Sequence, residues 1–175
     1  MIPINNTTES SAIISDLNYN NYVHRYFLER IWDKEKTIAT VIMLNPSYAD
    51  ELKWDYSSMR AINFLIDEGY GGITIVNLFS CIETDSENLP SYNQRFDKDT
   101  DKYIEKAIIQ NEVFIIAWGS NKNRLRRITN LKKILTKHKD SIKISRLTDE
   151  DNSRRHVSRL KRKLHLEPIK KINDI

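Results

Sequence analysis

Blocks of apolar residues separated by polar turns run the length of this 175-residue chain. Tyr22, Tyr26, Phe27 and Ile31 recur at helical spacing, which predicts a helix over 19–32, with an edge strand as the alternative. The unbroken run Thr37 to Leu44 predicts a buried strand, stopped at Asn45-Pro46-Ser47-Tyr48. Met59, Ile62, Phe64, Leu65 and Ile66 mark the apolar side of a helix over 57–68, closed by Gly69, Gly71 and Gly72. Ile73 to Val76 reads as a second strand ending at Asn77-Leu78-Phe79. A polar loop over 80–96 follows, where Pro90 disfavours a helix. A third helix is expected over 97–110, a third strand at Val113 to Trp118 closed by Gly119, and a basic helix over 121–138. A short fourth strand, 142–145, leads through a polar loop at 148–153 to a basic helix over 154–164.

Strands alternating with helices predict a mostly parallel sheet with helices on both faces. The expected fold is α/β: a three-layer α/β/α sandwich around a four-stranded, mostly parallel central sheet. Residues 1–18 read as a polar lead-in and 19–175 as one domain, with no internal repeat. In such a sheet the carboxyl ends of the strands share one rim, where ligands bind. Asn45, Asn77 and Gly119 end successive strands on that rim. The loop after the fourth strand brings His156 to it as well.

Composition narrows the chemistry. No apolar run approaches the roughly 18 residues that cross a membrane, and residues 1–15 lack the features of a secretory signal. Cys81 is the single cysteine, which rules out an internal disulfide and any site built from several thiolates. A monomer in a reducing cytoplasm, without metal cluster or cofactor, is expected. Charge is uneven. Residues 1–120 hold 10 Lys/Arg against 18 Asp/Glu, a net of −8. Residues 121–175 hold 18 against 6, a net of +12, and the two make the overall +4. Such asymmetry points to a basic face for a polyanion, although solvated helix faces produce the same count.

Two carboxamides and an imidazole on one rim form a neutral, directional hydrogen-bonding set. An amide offers both a donor and an acceptor, which suits a nucleobase edge and can also orient a water. The set has no strong nucleophile beside a base, no paired carboxylates at the tips and no phosphate-cradling glycine loop. Each element alone has a plainer reading: a turn at Asn45-Pro46, a strand cap at Asn77, a surface histidine at 156, a core aromatic at Trp118.

The order Leu44-Asn45-Pro46-Ser47, Ile75-Val76-Asn77-Leu78-Phe79, Ala117-Trp118-Gly119 and His156-Val157-Ser158-Arg159-Leu160 resembles the uracil-DNA glycosylase superfamily. Val157 stands where that family's last motif has proline, and Ser47 and Tyr48 where a small glycine is usual. The chain also resembles an uncharacterised bacterial domain family that shares the Asn-Pro-Ser-x-Ala-Asp segment (45–50). The first resemblance implies a hydrolase that flips a uracil or related base out of DNA and cuts its N-glycosidic bond. Asn45 would position the water and His156 would stabilise the departing base. Asn77 would read the base edge, Pro46, Ser47 and Tyr48 would line the pocket, and Phe79 or Tyr56 would stack on the base. Leu160 would wedge the duplex. Ser158, Arg154, Arg155, Arg159, Lys161, Arg162 and Lys163 would contact DNA, with Lys122, Arg124 and Arg127 nearby. Other readings are a DNA-binding module that lost catalysis, a hydrolase of a modified nucleoside or phage base, and a plain α/β protein with an acidic partner.

Overall fold

The computed structural model describes residues 7–16, 22–83, 90–119 and 125–175. Its strands are β1 (Glu9–Ile14), β2 (Arg25–Ile31), β3 (Ile38–Met43), β4 (Gly72–Asn77), β5 (Val113–Ile116), β6 (Lys143–Asp149) and β7 (Leu164–Pro168). Its helices are α1 (Tyr56–Asp67), α2 (Lys98–Gln110) and α3 (Leu125–Lys137). Lys122 and Arg124 lie outside the described residues.

One seven-stranded sheet runs in the order β1-β2-β4-β3-β5-β6-β7. Strands β4, β3, β5 and β6 are mutually parallel, whereas β1, β2 and β7 join antiparallel at the two sides. This corrects the expected four-stranded, mostly parallel sheet to a mixed seven-stranded one. The three additional strands come from segments with misleading patterns. Residues 25–31 form β2, not a helix. Four consecutive residues from Arg25 to Leu28 are buried, and burial on both faces erases the period that separates strand from helix. Residues 154–164 are not helical either. They form a one-turn 3-10 segment at Val157–Arg159 and then enter β7, where Leu164 and Leu166 alternate with exposed neighbours. That alternation is a strand pattern, and Pro168 closes the edge strand where no ladder donor is needed. Part of the expected lead-in pairs as β1 with β2, from Glu9↔Ile31 to Ile14↔Arg25.

Both faces of the sheet are covered. Ala61, Ile62, Phe64 and Leu65 of α1 pack with Val41, Ile75 and Ile115 on one face. On the other, Ile104 and Ile108 of α2 and Leu131 and Leu135 of α3 pack with Ile42, Val76 and Phe114. Each of these large side chains contributes about 1.5–3 kcal/mol on burial. Asp55 caps α1 by accepting from Ser58 N, and Asp97 caps α2 by accepting from Thr100 N. Among the described residues no helix is long and apolar enough to cross a membrane.

From β3 the chain passes to β4 on one side. It then returns across β3 to β5 on the other. The strand order therefore reverses between β3 and β5. The crevice above that reversal is the favoured ligand position in an open α/β sheet.

Candidate functional site

The β3–α1 loop begins at Leu44, at the carboxyl end of β3 that borders this crevice, and carries Asn45, Pro46, Ser47 and Tyr48. Pro46 is buried, Asn45 and Ser47 are half-buried, and Tyr48 is exposed. Two arginines of β2 hold the loop from below. Arg25 donates through Nη1 to Ala49 O at 2.6 Å. Arg30 donates through Nη2 to Asp50 O at 2.6 Å and Lys53 O at 2.8 Å, and its guanidinium lies 4.0 Å from the centre of the Trp54 ring. Both arginines are at most 2% exposed.

Asn77 ends β4 directly beside Met43 of β3, two residues before Asn45. It is buried, and its Oδ1 accepts from Arg25 Nη2 at 3.2 Å. That bond fixes the amide orientation, leaving Nδ2 as the free end. Asn77 Nδ2 and Asn45 Oδ1 are both buried and lack a partner among the described residues. Buried polar atoms are almost always satisfied, so an orphaned donor and an orphaned acceptor at neighbouring strand ends single out these two amides; both atoms are closed to solvent, and a ligand reaches them when the β3–α1 loop shifts.

His156 reaches the same rim through a bridge to Trp118, just past the end of β5. Gly119 makes the approach possible. Its φ is +78°, and a Cβ there would lie 2.4 Å from His156 N. Ser158 N donates to His156 Nδ1 at 3.3 Å, and Ser158 Oγ lies 2.9 Å from the same nitrogen. In the neutral imidazole this leaves the proton on Nε2. Burial lowers the His156 pKa below its ordinary value, against the opposing field of Asp55. The loop itself hangs on Asp149, at the end of β6. Its Oδ1 accepts from Asp151 N and Ser153 N, and its Oδ2 accepts from Lys161 N at 2.8 Å.

Asp55 ties these groups together electrostatically, since its field acts on Arg25, Arg30 and His156 alike. Burial pushes the Arg25 guanidinium down to about 10, with Asp55 and Asp50 resisting. It stays charged at neutral pH. The two arginines are balanced by Asp50 and Asp55, while Arg159 adds a positive field at His156. Among the described residues no three His, Cys, Asp and Glu side chains gather as a metal would require.

Several expected roles change. Leu160 is 5% exposed and packs in the core with Val157 and α1, so it is not presented as a wedge. Arg60 of α1 caps it from above, donating to Leu160 O at 2.8 Å and Lys161 O at 2.7 Å. Phe79 is buried edge-on against Tyr92, with ring centres 5.5 Å apart, and belongs to the core on the α2 side. Tyr56 is 56% exposed, with the Arg60 guanidinium 5.8 Å from its ring centre. Arg127 is buried, donating to Leu78 O and pairing with Asp101, and is therefore no phosphate contact. Arg154, Arg155, Arg159, Arg162 and Lys163 are exposed, while Lys161 pairs with Asp151 at 2.6 Å. Arg25, Arg30, Asp55 and Asp149 had no place in the sequence-based set. For Arg25 the signal was present: a charge inside the apolar run from Val23 to Leu28 demands a buried partner.

Buried His24 and half-buried His156 make stability depend on pH. In the fold, burial lowers the pKa of both His24 and His156 below the ordinary 6.5. The unfolded chain therefore binds more protons as pH drops through that value, and stability falls with it. Thermal melts at about pH 7.5 and about pH 5.5 should show a lower melting temperature in acid. His156→Asn should reduce the difference and leave the part due to His24, because an asparagine oxygen still accepts from Ser158 N without titrating.

No curated protein and no solved structure matches the chain. A family does match, over residues 25–156. It is not a uracil-DNA glycosylase family, and this overturns the expected kinship. Asn-Pro after a strand and an asparagine at the next strand end are features that open α/β sheets acquire readily. In the last motif Val157 already replaces the usual proline, and Leu160, the expected wedge, is core. The matched span starts on Arg25 and ends on His156, so it encloses the whole rim and leaves out β1 and β7. The chain belongs to the family described as "Protein of unknown function (DUF1643)".

Proposed function

We propose that this protein binds a nucleobase-bearing substrate, in DNA or as a nucleoside, at the rim and hydrolyses its N-glycosidic bond. The observation that carries this reading is the pair of buried, unpartnered amide atoms on adjacent strand ends, Asn45 Oδ1 and Asn77 Nδ2. With Oδ1 committed to Arg25, Asn77 presents only a donor. A lone donor pairs with a carbonyl and not with an exocyclic amine, so where Asn77 meets the 4- or 6-substituent of a base, the oxo form (as in uracil) is favoured over the amino form (as in cytosine or adenine). Asn45 Oδ1 accepts from the water that attacks the anomeric carbon. The glycosidic electron pair leaves with the base, whose growing negative charge His156 Nε2–H meets as a neutral donor; the proton shed by the added water passes through solvent to the departed base anion, so the water's OH ends on the sugar and its H on the free base. An asparagine is a weak base, but water adding to an oxocarbenium-like sugar needs orientation more than deprotonation.

The burial of Leu160 favours a base that is already accessible, in a single strand or a free nucleoside, over one extracted from a duplex. Exposed Tyr48, Trp54 and Tyr56 on the β3–α1 loop and its helix offer rings for stacking. The test is incubation with uracil-containing single-stranded and duplex oligonucleotides, read by alkaline cleavage at abasic sites, alongside a nucleoside panel read by free-base release. Asn45→Ala should lose most product, by roughly a hundredfold or more, while keeping substrate affinity. Equal turnover by Asn45→Ala and the parent would reject the assignment. A salt-sensitive complex with oligonucleotide and no abasic product would select the binding module, which the consumption of Asn77 Oδ1 by Arg25 also suits.

A further inference from the structure

At the opposite end of the sheet, where β6 begins, a groove of about 1190 Å³ opens between α3 and the segment following β7. Its floor is aliphatic: Ile142, Ile144, Ile169 and Ile172, each half-buried. Its borders are cationic. Lys133 and Lys139 stand on and after α3, Lys143 at the start of β6, and Lys170 and Lys171 past β7. A sixth lysine, Lys132, donates to Asn173 O at 3.1 Å and secures the segment to the helix. Among the described residues no carboxylate, arginine or aromatic side chain lines the groove.

This combination discriminates among polyanions. Nucleic-acid tracks use arginine forks and aromatic platforms, because each base presents a face to stack. Neither is present, and four isoleucines give a phosphodiester chain nothing to recognise. An amphipathic helix with acidic flanks matches both halves of the groove: its apolar stripe covers the isoleucines and its carboxylates meet the lysines. We propose that this groove docks an acidic amphipathic helical segment of a partner protein. The proposal is independent of the chemistry assigned to the rim. It absorbs part of the basic excess of residues 121–175 that the rim does not use.

The probe is a fluorescein-labelled peptide about four helical turns long, with leucines at i, i+3, i+4 and i+7 and glutamates on both flanks. The control is a scrambled peptide of identical composition. Fluorescence anisotropy with the intact protein should give saturable binding that weakens with salt, at least roughly tenfold tighter than the scrambled peptide. The exposed pair Lys133→Glu and Lys143→Glu together should weaken it by roughly tenfold or more without changing the circular dichroism spectrum. Ile172→Ser should weaken it at unchanged charge. Equal binding of both peptides, or none of either, overturns the proposal. So does oligothymidylate that competes the peptide off and loses affinity in the same charge-reversal variant. Concentration-dependent self-association that masks the groove and is abolished by Lys133→Glu also overturns it, by making a second copy the occupant.

Discussion

Gly119→Ala is expected to lower the melting temperature by roughly 6–12 °C, while Gly69→Ala costs about half of that. Both glycines have positive φ, +78° and +81°, so alanine meets the same left-handed penalty at each, about 1–2 kcal/mol. They differ in surroundings. Nothing lies within 4 Å of a Cβ at Gly69, whereas at Gly119 the Cβ would sit 2.4 Å from His156 N and 2.8 Å from its Cα. Backbone cannot swing aside as a flexible side chain would, so the clash adds about 1–3 kcal/mol. A total near 3 kcal/mol corresponds to the stated shift for a chain of this size, at about 2–4 °C per kcal/mol. The displacement also has a local signature. Pushing residues 155 and 156 away from Trp118 hydrates the imidazole, so the His156 titration seen by NMR should move up toward its ordinary value in Gly119→Ala and stay put in Gly69→Ala. Equal melting shifts with an unchanged His156 titration would show that the Trp118–His156 bridge does not hold the loop.

Which parts of this fold were legible in the sequence follows from burial. The runs that became β3, β4 and β5 are apolar, short and bounded by Asn-Pro, Asn or Gly, and α1 and α2 carry clear apolar stripes. These needed only periodicity and punctuation. β2 ranked second to a helix, and only as an edge strand, because its two faces are both covered, leaving Tyr26 and Phe27 side by side in a pattern that also fits a helix; it lies inside the sheet between β1 and β4. β7 was lost because Leu160 and Leu164 are four residues apart in a basic run, which imitates a helix face. The structure instead confines the helical turn to Val157–Arg159, before Leu160, and bends the chain at 162–163 into β7. The two antiparallel sides of the sheet were therefore hidden where local signal and tertiary burial disagree.

The site divides in the same way. Asn45 and Asn77 were readable because a strand end can be placed from the strand itself. His156 was found as a position, but its environment was not: the Asp149 carboxylate that organises its loop and the Gly119 that admits it act through backbone contacts that leave no residue pattern. Aromatic roles were assigned by proximity to strand ends. Proximity could not say that Phe79 turns into the core while Tyr56 turns out.

Arg25→Met should be the most disruptive conservative-volume change at the rim, and its effect separates scaffold from chemistry. Arg25 is 2% exposed and binds two oxygens, Ala49 O and Asn77 Oδ1. Methionine fills much of the space but leaves both acceptors buried and bare, at about 1–3 kcal/mol each. It also removes the cation that Asp55 faces. Against this, the fold no longer has to desolvate a guanidinium whose Nε has no partner among the described residues, and that offsets part of the loss. The expected net is a destabilisation of about 3 kcal/mol, or roughly 6–12 °C in melting temperature. Arg25→Lys should fall between, since one ammonium cannot span both acceptors as the fork does. Because Asp55→Asn keeps an α1 cap, the double-mutant cycle of Arg25→Met with Asp55→Asn isolates their coupling, expected at about 0.5–3 kcal/mol. The chemical consequence is distinct. Once released, the Asn77 amide can turn either end toward a ligand, so at temperatures where the variant is still folded, preference for oxo over amino bases should collapse before affinity does. A variant as stable as the parent, with that preference intact, would leave Arg25 as a filler and remove the reason for Asn77 to present a donor.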